Sequence, residues 1–98
     1  MILIRNVFQC KPGMAKDLVA RFQASSKLMK SSKLIEGSRV MTDASASFWT
    51  VVFETEHASL EAFEKSFAEH SSNPEVRKIM EGYMDLVTGG HREIWKIE

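Results

Sequence analysis

Asn6 is the residue whose placement is hardest to explain as packing alone. Residues 2–10 alternate, and Ile2, Ile4, Asn6, Phe8 and Cys10 share one face. A buried amide must be hydrogen-bonded, because leaving it unsatisfied costs about 1–3 kcal/mol. Asn6 therefore bonds to neighbouring backbone or water, or it is the polar anchor of an apolar ligand pocket. His70 is the second candidate. It extends a helical stripe of Leu60, Phe63 and Phe67. It reads as a partly buried histidine near a helix C-terminus, where the dipole favours its cation, or as a general acid/base or axial haem ligand. His91 and Glu93 alternate on the last strand with Trp95, as an acid/base pair or a solvated one. His57 falls in the loop before Ser59, where a role is weaker. Arg5 and Arg39 sit on strands that otherwise look buried. A cross-sheet salt bridge or a dimer-interface pair suits them, as does binding of a substrate carboxylate.

Other chemistries lack their residues. The sequence has no Gly-rich phosphate loop, no nucleophile elbow and no metal-ligand spacing, since His57, His70 and His91 lie far apart. Cys10 is the only cysteine, so an internal disulfide is excluded and a reducing, cytoplasmic location is expected.

The elements that must position these groups follow from periodicity. After the first strand, Lys11-Pro12-Gly13 breaks the chain. Ala15, Leu18, Val19 and Phe22 then mark a helix over 14–29, its second half weakened by Ser25-Ser26 and Ser31-Ser32. A short strand over 38–42, a small polar loop over 43–47 and a strand over 48–55 form a hairpin. In that third strand Trp49, Val51 and Phe53 make an apolar row and Phe48, Thr50, Val52 and Glu54 a mixed one. Ser59 is the expected N-cap of the next helix, and Asn73-Pro74 restarts it as cap and first helical residue. Val76, Ile79, Met80, Tyr83 and Val87 continue a stripe. Gly89-Gly90 is expected as the helix stop, before a last strand over 91–97. Trp49, Phe53, Phe63, Phe67 and Tyr83 read most simply as core, and the methionines as gap-fillers.

The order strand, helix, strand, strand, helix pair, strand predicts a single α+β domain over residues 1–98. It is of ferredoxin-like βαββαβ type, with helices on one face of a four-stranded antiparallel sheet. Large apolar groups on both rows of the strands, including Phe48, Val52, Ile94, Trp95 and Ile97, predict that the open face pairs with a second copy.

Composition excludes other partners. Thirteen Lys and Arg balance thirteen Asp and Glu, so there is no basic footprint for nucleic acid and no polybasic membrane patch. The basic residues between Lys27 and Lys33 read as a solvated helix end or an anion site. The N-terminus does not read as a signal peptide, and no apolar run approaches the roughly 20 residues of a membrane span.

The chain resembles the dimeric α/β-barrel superfamily, in particular NIPSNAP-like and antibiotic-biosynthesis-monooxygenase-like domains. The resemblance is carried by the opening strand running into Lys11-Pro12-Gly13-Met14-Ala15-Lys16, by Ser59-Leu60-Glu61-Ala62-Phe63, and by the ending Gly89-Gly90-His91-Arg92-Glu93-Ile94-Trp95. It implies pairing through the sheet. It also implies cofactor-free oxygenases, haem-degrading enzymes or isomerases as relatives. The haem-degrading branch implies an asparagine on the first strand, with a tryptophan and a histidine on the helix after the third. Asn6 matches, Phe63 stands about where the tryptophan would be, and His70 follows at a shorter spacing.

Two functions follow as expectations. The first is small-molecule binding in a cleft between helices and sheet, with Asn6 as anchor and Phe22, Phe63, Phe67 and His70 as walls. It extends to cofactor-independent oxygenation of an aromatic or lipophilic compound, without a metal, and with haem binding or degradation as a variant. The second is a homodimeric interaction module without catalysis.

Overall fold

Four strands and the helices between them build the molecule, seen in a computed structural model that describes residues 1–30 and 35–98. The elements are β1 (Ile2–Cys10), α1 (Ala15–Met29), β2 (Gly37–Thr42), β3 (Thr50–His57), α2 (Leu60–Ser72), α3 (Pro74–Ile79), a 3-10 turn (Tyr83–Leu86) and β4 (Val87–Lys96). All sheet pairings are antiparallel, in the order β2-β3-β1-β4. This is the ferredoxin-like α+β arrangement that the element order predicts. The Ser31-Ser32 pair and the Lys33 end of the basic cluster lie outside the described residues.

The helix starts are those the sequence announces. Ser59 Oγ accepts from Ala62 N at 3.1 Å, and Asn73 Oδ1 accepts from Glu75 N at 2.9 Å with Pro74 at the first helical position. Each cap satisfies a donor that the first turn leaves unpaired. Ser25 and Ser26 do not interrupt α1. Both are buried, and Ser25 returns its hydroxyl to Phe22 O at 3.1 Å, which keeps the helix intact at a close-packed face.

Three expectations fail at element ends. Phe48 and Trp49 are not in β3. They sit in the connection before it, Phe48 is 80% exposed, and Trp49 is exposed with φ at 61°. The connection is held by Cys10 N to Trp49 O at 2.8 Å, by the Gln9 side-chain amide donating to Phe48 O, and by Thr50 N donating to Asp43 Oδ1 at 3.0 Å. These partners are distant in sequence, so local alternation does not reveal them. Gly89-Gly90 is no helix stop either. Both glycines lie inside β4, opposite Gln9 and Phe8, and the chain turns earlier, at Gly82 with φ 75°. Finally, His57 is the buried last residue of β3, not part of a loop.

The core lies under α1, where Cys10, Leu18, Phe22, Val51, Phe53 and Leu86 pack together. Burial pushes the Cys10 thiol up, in keeping with its role as a small apolar side chain. Phe53 belongs to this core and Tyr83 packs against it. Trp49 and Phe67 are exposed and do not.

Strand register assigns the two arginines. Arg39, Glu54, Arg5 and Glu93 stand opposite one another across the four strands, on the face away from the helices. Glu54 accepts from Arg5 Nε and Arg39 Nε, each at 2.6 Å. This is the cross-sheet salt bridge among the sequence readings. Burial raises the Glu54 pKa, but the hydrogen bonds from Arg39 and Arg5 outweigh it and hold the carboxyl below its ordinary range. Its stabilisation is therefore full above the unfolded pKa of about 4.3 and lost as pH falls through the lower folded value. We expect the melting temperature to drop as pH is taken from about 4.5 downward, and Glu54→Gln to flatten that drop. Melting curves in a pH series read both, and an unchanged acid limb in the variant would contradict the assignment.

Candidate functional site

Between the inner face of the sheet and the helices lies a cavity of about 290 Å³. The five residues expected as ligand contacts, Asn6, Phe22, Phe63, Phe67 and His70, all line it. They arrive from three elements. Alternation along β1 turns Asn6 inward, helical spacing in α1 brings Phe22 beneath the sheet, and the i, i+4, i+7 spacing of Phe63, Phe67 and His70 lays them along one side of α2.

Rings dominate the walls. Phe22 lies 4.9 Å from Phe53 and 5.2 Å from Phe8 between centroids, and Phe63 lies 5.3 Å from His57 and 6.0 Å from Phe67. His57 Nε2 is 2.8 Å from Thr55 Oγ1, and both side chains are buried. Ser25 and Ser66 lie buried along the same wall; their short side chains leave room that a leucine would fill.

The partner of the Asn6 side-chain oxygen is the side chain of Arg92. Arg92 stands directly opposite Asn6 on β4, and Arg92 Nε donates to Asn6 Oδ1 at 2.7 Å. The Arg92 guanidinium carbon lies 5.4 Å from the Phe63 ring centroid and 5.5 Å from that of Phe67, within cation–π range. Sequence reading passed over Arg92 because it fixed on the other row of the last strand. The signal was present: with Glu93 and Trp95 facing out, alternation turns Arg92 toward Asn6.

His70 is half-buried, and burial lowers its pKa, which favours the neutral imidazole at neutral pH. Since the unfolded chain takes up the proton more readily, the stability tied to neutral His70 is lost as pH falls below about 6.5.

His91 and Glu93 are brought together but lie elsewhere. His91 Nε2 is 3.1 Å from Glu93 Oε2, and Trp95 Nε1 donates to Glu93 Oε1 at 3.0 Å, on the open face of the sheet. The bonds from Trp95 and His91 hold the Glu93 carboxyl below its ordinary range. This is a solvated pair on the face opposite the cavity.

A wider groove of about 720 Å³ runs between the start of α1 and the connection carrying Phe48 and Trp49. It lacks the convergence of polar groups found at Asn6, and Asp43 on its rim is engaged by Thr50.

The haem-degrading pattern is met only in part: Asn6 is on β1 and His70 on α2, but Phe63 offers a ring without an N–H.

Among the described residues no helix is long and apolar enough to cross a membrane. No protein-family model and no curated protein matches the sequence. Solved structures do match. A NIPSNAP domain protein from Burkholderia xenovorans superposes with a TM-score of 0.81 at 10% identity, covering 100% of this chain and 95% of that one. A NIPSNAP family protein of unknown function from Agrobacterium tumefaciens gives 0.80 at 15% identity, covering 99% and 87%. A candidate antibiotic biosynthesis monooxygenase from Deinococcus radiodurans gives 0.77 at 14% identity, covering 100% and 93%. At these identities the likeness establishes the fold, which is the ferredoxin-like α+β fold of NIPSNAP-like and antibiotic-biosynthesis-monooxygenase-like proteins.

Proposed function

We propose that the protein binds a small, flat, apolar compound in the inner cavity, anchored at Asn6 and walled by Phe22, Phe63, Phe67 and His70. The observation that carries this reading is the cavity itself. Aromatic side chains that a solid core would interdigitate instead line a partly open cavity of about 290 Å³ beside a hydrogen-bonded polar pair. A thermal-shift screen of aromatic, quinone and fatty compounds tests it. A ligand at 100 times its Kd adds about 2.7 kcal/mol, a rise of roughly 10–20 °C for a domain of this size. Asn6→Leu should reduce the shift. Silence across the screen would overturn the reading and leave a non-catalytic interaction module.

The reaction class we assign is cofactor-independent oxygenation. It is supported by the likeness in fold to the D. radiodurans protein and by the aromatic rings that line the cavity. In a phenolic substrate one oxygen atom of O₂ enters the ring as a quinone carbonyl and the other leaves as water; the substrate supplies the four electrons. Oxygen uptake with a naphthol, absent in Asn6→Leu, is the expected result. Uptake no greater than without protein would remove the oxygenase assignment and leave binding.

A second copy is the partner we propose for the open face. Trp95 is 53% exposed there, opposite Leu3, and Val7, Val52 and Met41 share the face. Burying such side chains contributes about 1.5–3 kcal/mol each, against an association cost of about 4–15 kcal/mol. Sedimentation should give twice the 11.1 kDa chain mass, and Trp95→Glu should give the monomer. An 11.1 kDa wild-type species at micromolar concentration would end this proposal.

A further inference from the structure

We propose that the compound held in the inner cavity is a carboxylic acid with a small aromatic or aliphatic body, and that Arg92 is the residue that takes the carboxylate. This rests on the binding reading above and names the class of ligand.

The charge inventory of the cavity points one way. Arg92 and Arg77 line it, and no aspartate or glutamate does among the described residues, although the chain as a whole is neutral. Strand alternation produces this segregation. The nearby acids, Glu54 and Glu93, project from the opposite face, where they pair with Arg5, at 2.6 and 3.6 Å, and Glu54 also with Arg39. Arg92 is left on the inner row, and no carboxylate pairs with it among the described residues.

Arg92 is also oriented for the task. Its Nε donates to Asn6 Oδ1 at 2.7 Å at the exposed rim of the cavity, which orients that edge of the guanidinium. Its carbon is 5.4 and 5.5 Å from the Phe63 and Phe67 centroids, so the rings restrict where it can swing. The Nη1/Nη2 edge stays available, and two parallel N–H groups match the two oxygens of a carboxylate. Asn6 then positions Arg92 for the acid group, and the Phe22 and Phe63 rings meet the apolar body. Arg77 is tethered through Nε to Ser71 O at 2.9 Å and adds positive potential from the helix side. His70 stays neutral at neutral pH and supplies polarity without charge. The volume limits the body to about one or two fused rings or a medium chain.

The test compares an acid with its neutral isostere. The full-length protein is titrated with 2-naphthoate and 2-naphthamide at pH 7.5, followed by naphthalene fluorescence and calorimetry. The expected result is at least tenfold tighter binding of the acid. Arg92→Gln should erase that preference, bringing the acid-to-amide affinity ratio to within about twofold of one. Arg92→Lys should keep part of it, and Arg77→Gln most of it. Equal affinity for acid and amide, or a preference that survives Arg92→Gln, overturns the carboxylate assignment while leaving the cavity reading intact. Failure of both compounds to bind, in a protein whose melting curve shows it folded, overturns both.

Discussion

A Gly90→Ala variant is expected to melt roughly 12–24 °C below wild type, while Gly89→Ala stays within a few degrees of it. The two glycines are neighbours on the same strand, and the difference lies in what a Cβ would meet. At Gly90 it would lie 2.5 Å from the carbonyl oxygen of Val7 and 3.4 Å from Phe8 Cα; at Gly89 it meets nothing within 4 Å. The obstructing atoms are backbone of β1, which is paired on both sides by β3 and β4, so β1 has no direction in which to yield. Relief requires β4 to move outward and give up ladder hydrogen bonds. Overpacking of this kind costs about 1–3 kcal/mol or more. At about 3 kcal/mol, with each kcal/mol worth roughly 4–8 °C in a domain of this length, the stated range follows. Displacing β4 also moves Arg92 from its place opposite Asn6, so the cavity should lose ligand binding in the same variant. A Gly90→Ala protein that melts beside Gly89→Ala would refute the close-approach account.

The same glycine pair illustrates where sequence reasoning reaches and where it stops. Element order and sheet type follow from periods of two and 3.6, which survive in the strands and in α1 because each buries a face. The caps at Ser59 and Asn73 are legible because their bonds close within two or three residues. Gly89-Gly90 is ambiguous, since the sequence pattern of a helix stop and that of a close strand approach coincide, and only the position of Val7 O separates them. The beginning of β3 fails for the same reason: Gln9 and Cys10 hold the Phe48-Trp49 connection from far away in sequence. The site divides along this line. Asn6 stands out as a polar residue in an apolar row, and Phe22, Phe63, Phe67 and His70 follow from helical faces. Arg92 falls on the inner row by alternation with Glu93 and Trp95, but its pairing with Asn6 needs the cross-strand register, and the burial of His57 depends on where a strand ends, which periodicity leaves undetermined by a residue or two.

Phe22→Ala is expected to lose about 3–5 kcal/mol, toward the upper end of that range. Phe22 is buried, and its ring packs at a tilt between those of Phe8 and Phe53 while forming one wall of the cavity. In an ordinary core, neighbours relax into part of the space left by a truncated ring. Here the new void joins an existing one of about 290 Å³, and little is gained by partial collapse. Against a total stability of about 5–15 kcal/mol for a domain, that loss leaves the fold marginal. Phe67→Ala provides the contrast. Phe67 lines the same cavity but is 52% exposed, so truncation removes a ring beside Arg92 at a cost of about 1 kcal/mol or less. Chemical denaturation of the two variants reads the difference directly. Equal losses would mean that Phe22 is not the wall that separates core from cavity. The enlarged space also makes a second measurement informative. An apolar probe too bulky for the wild-type cavity should raise the melting temperature of Phe22→Ala and leave wild type unmoved, because only the variant has room for it. Rescue by such a probe would tie the lost stability to an open, ligand-accessible void rather than to a general loosening of the helix on the sheet.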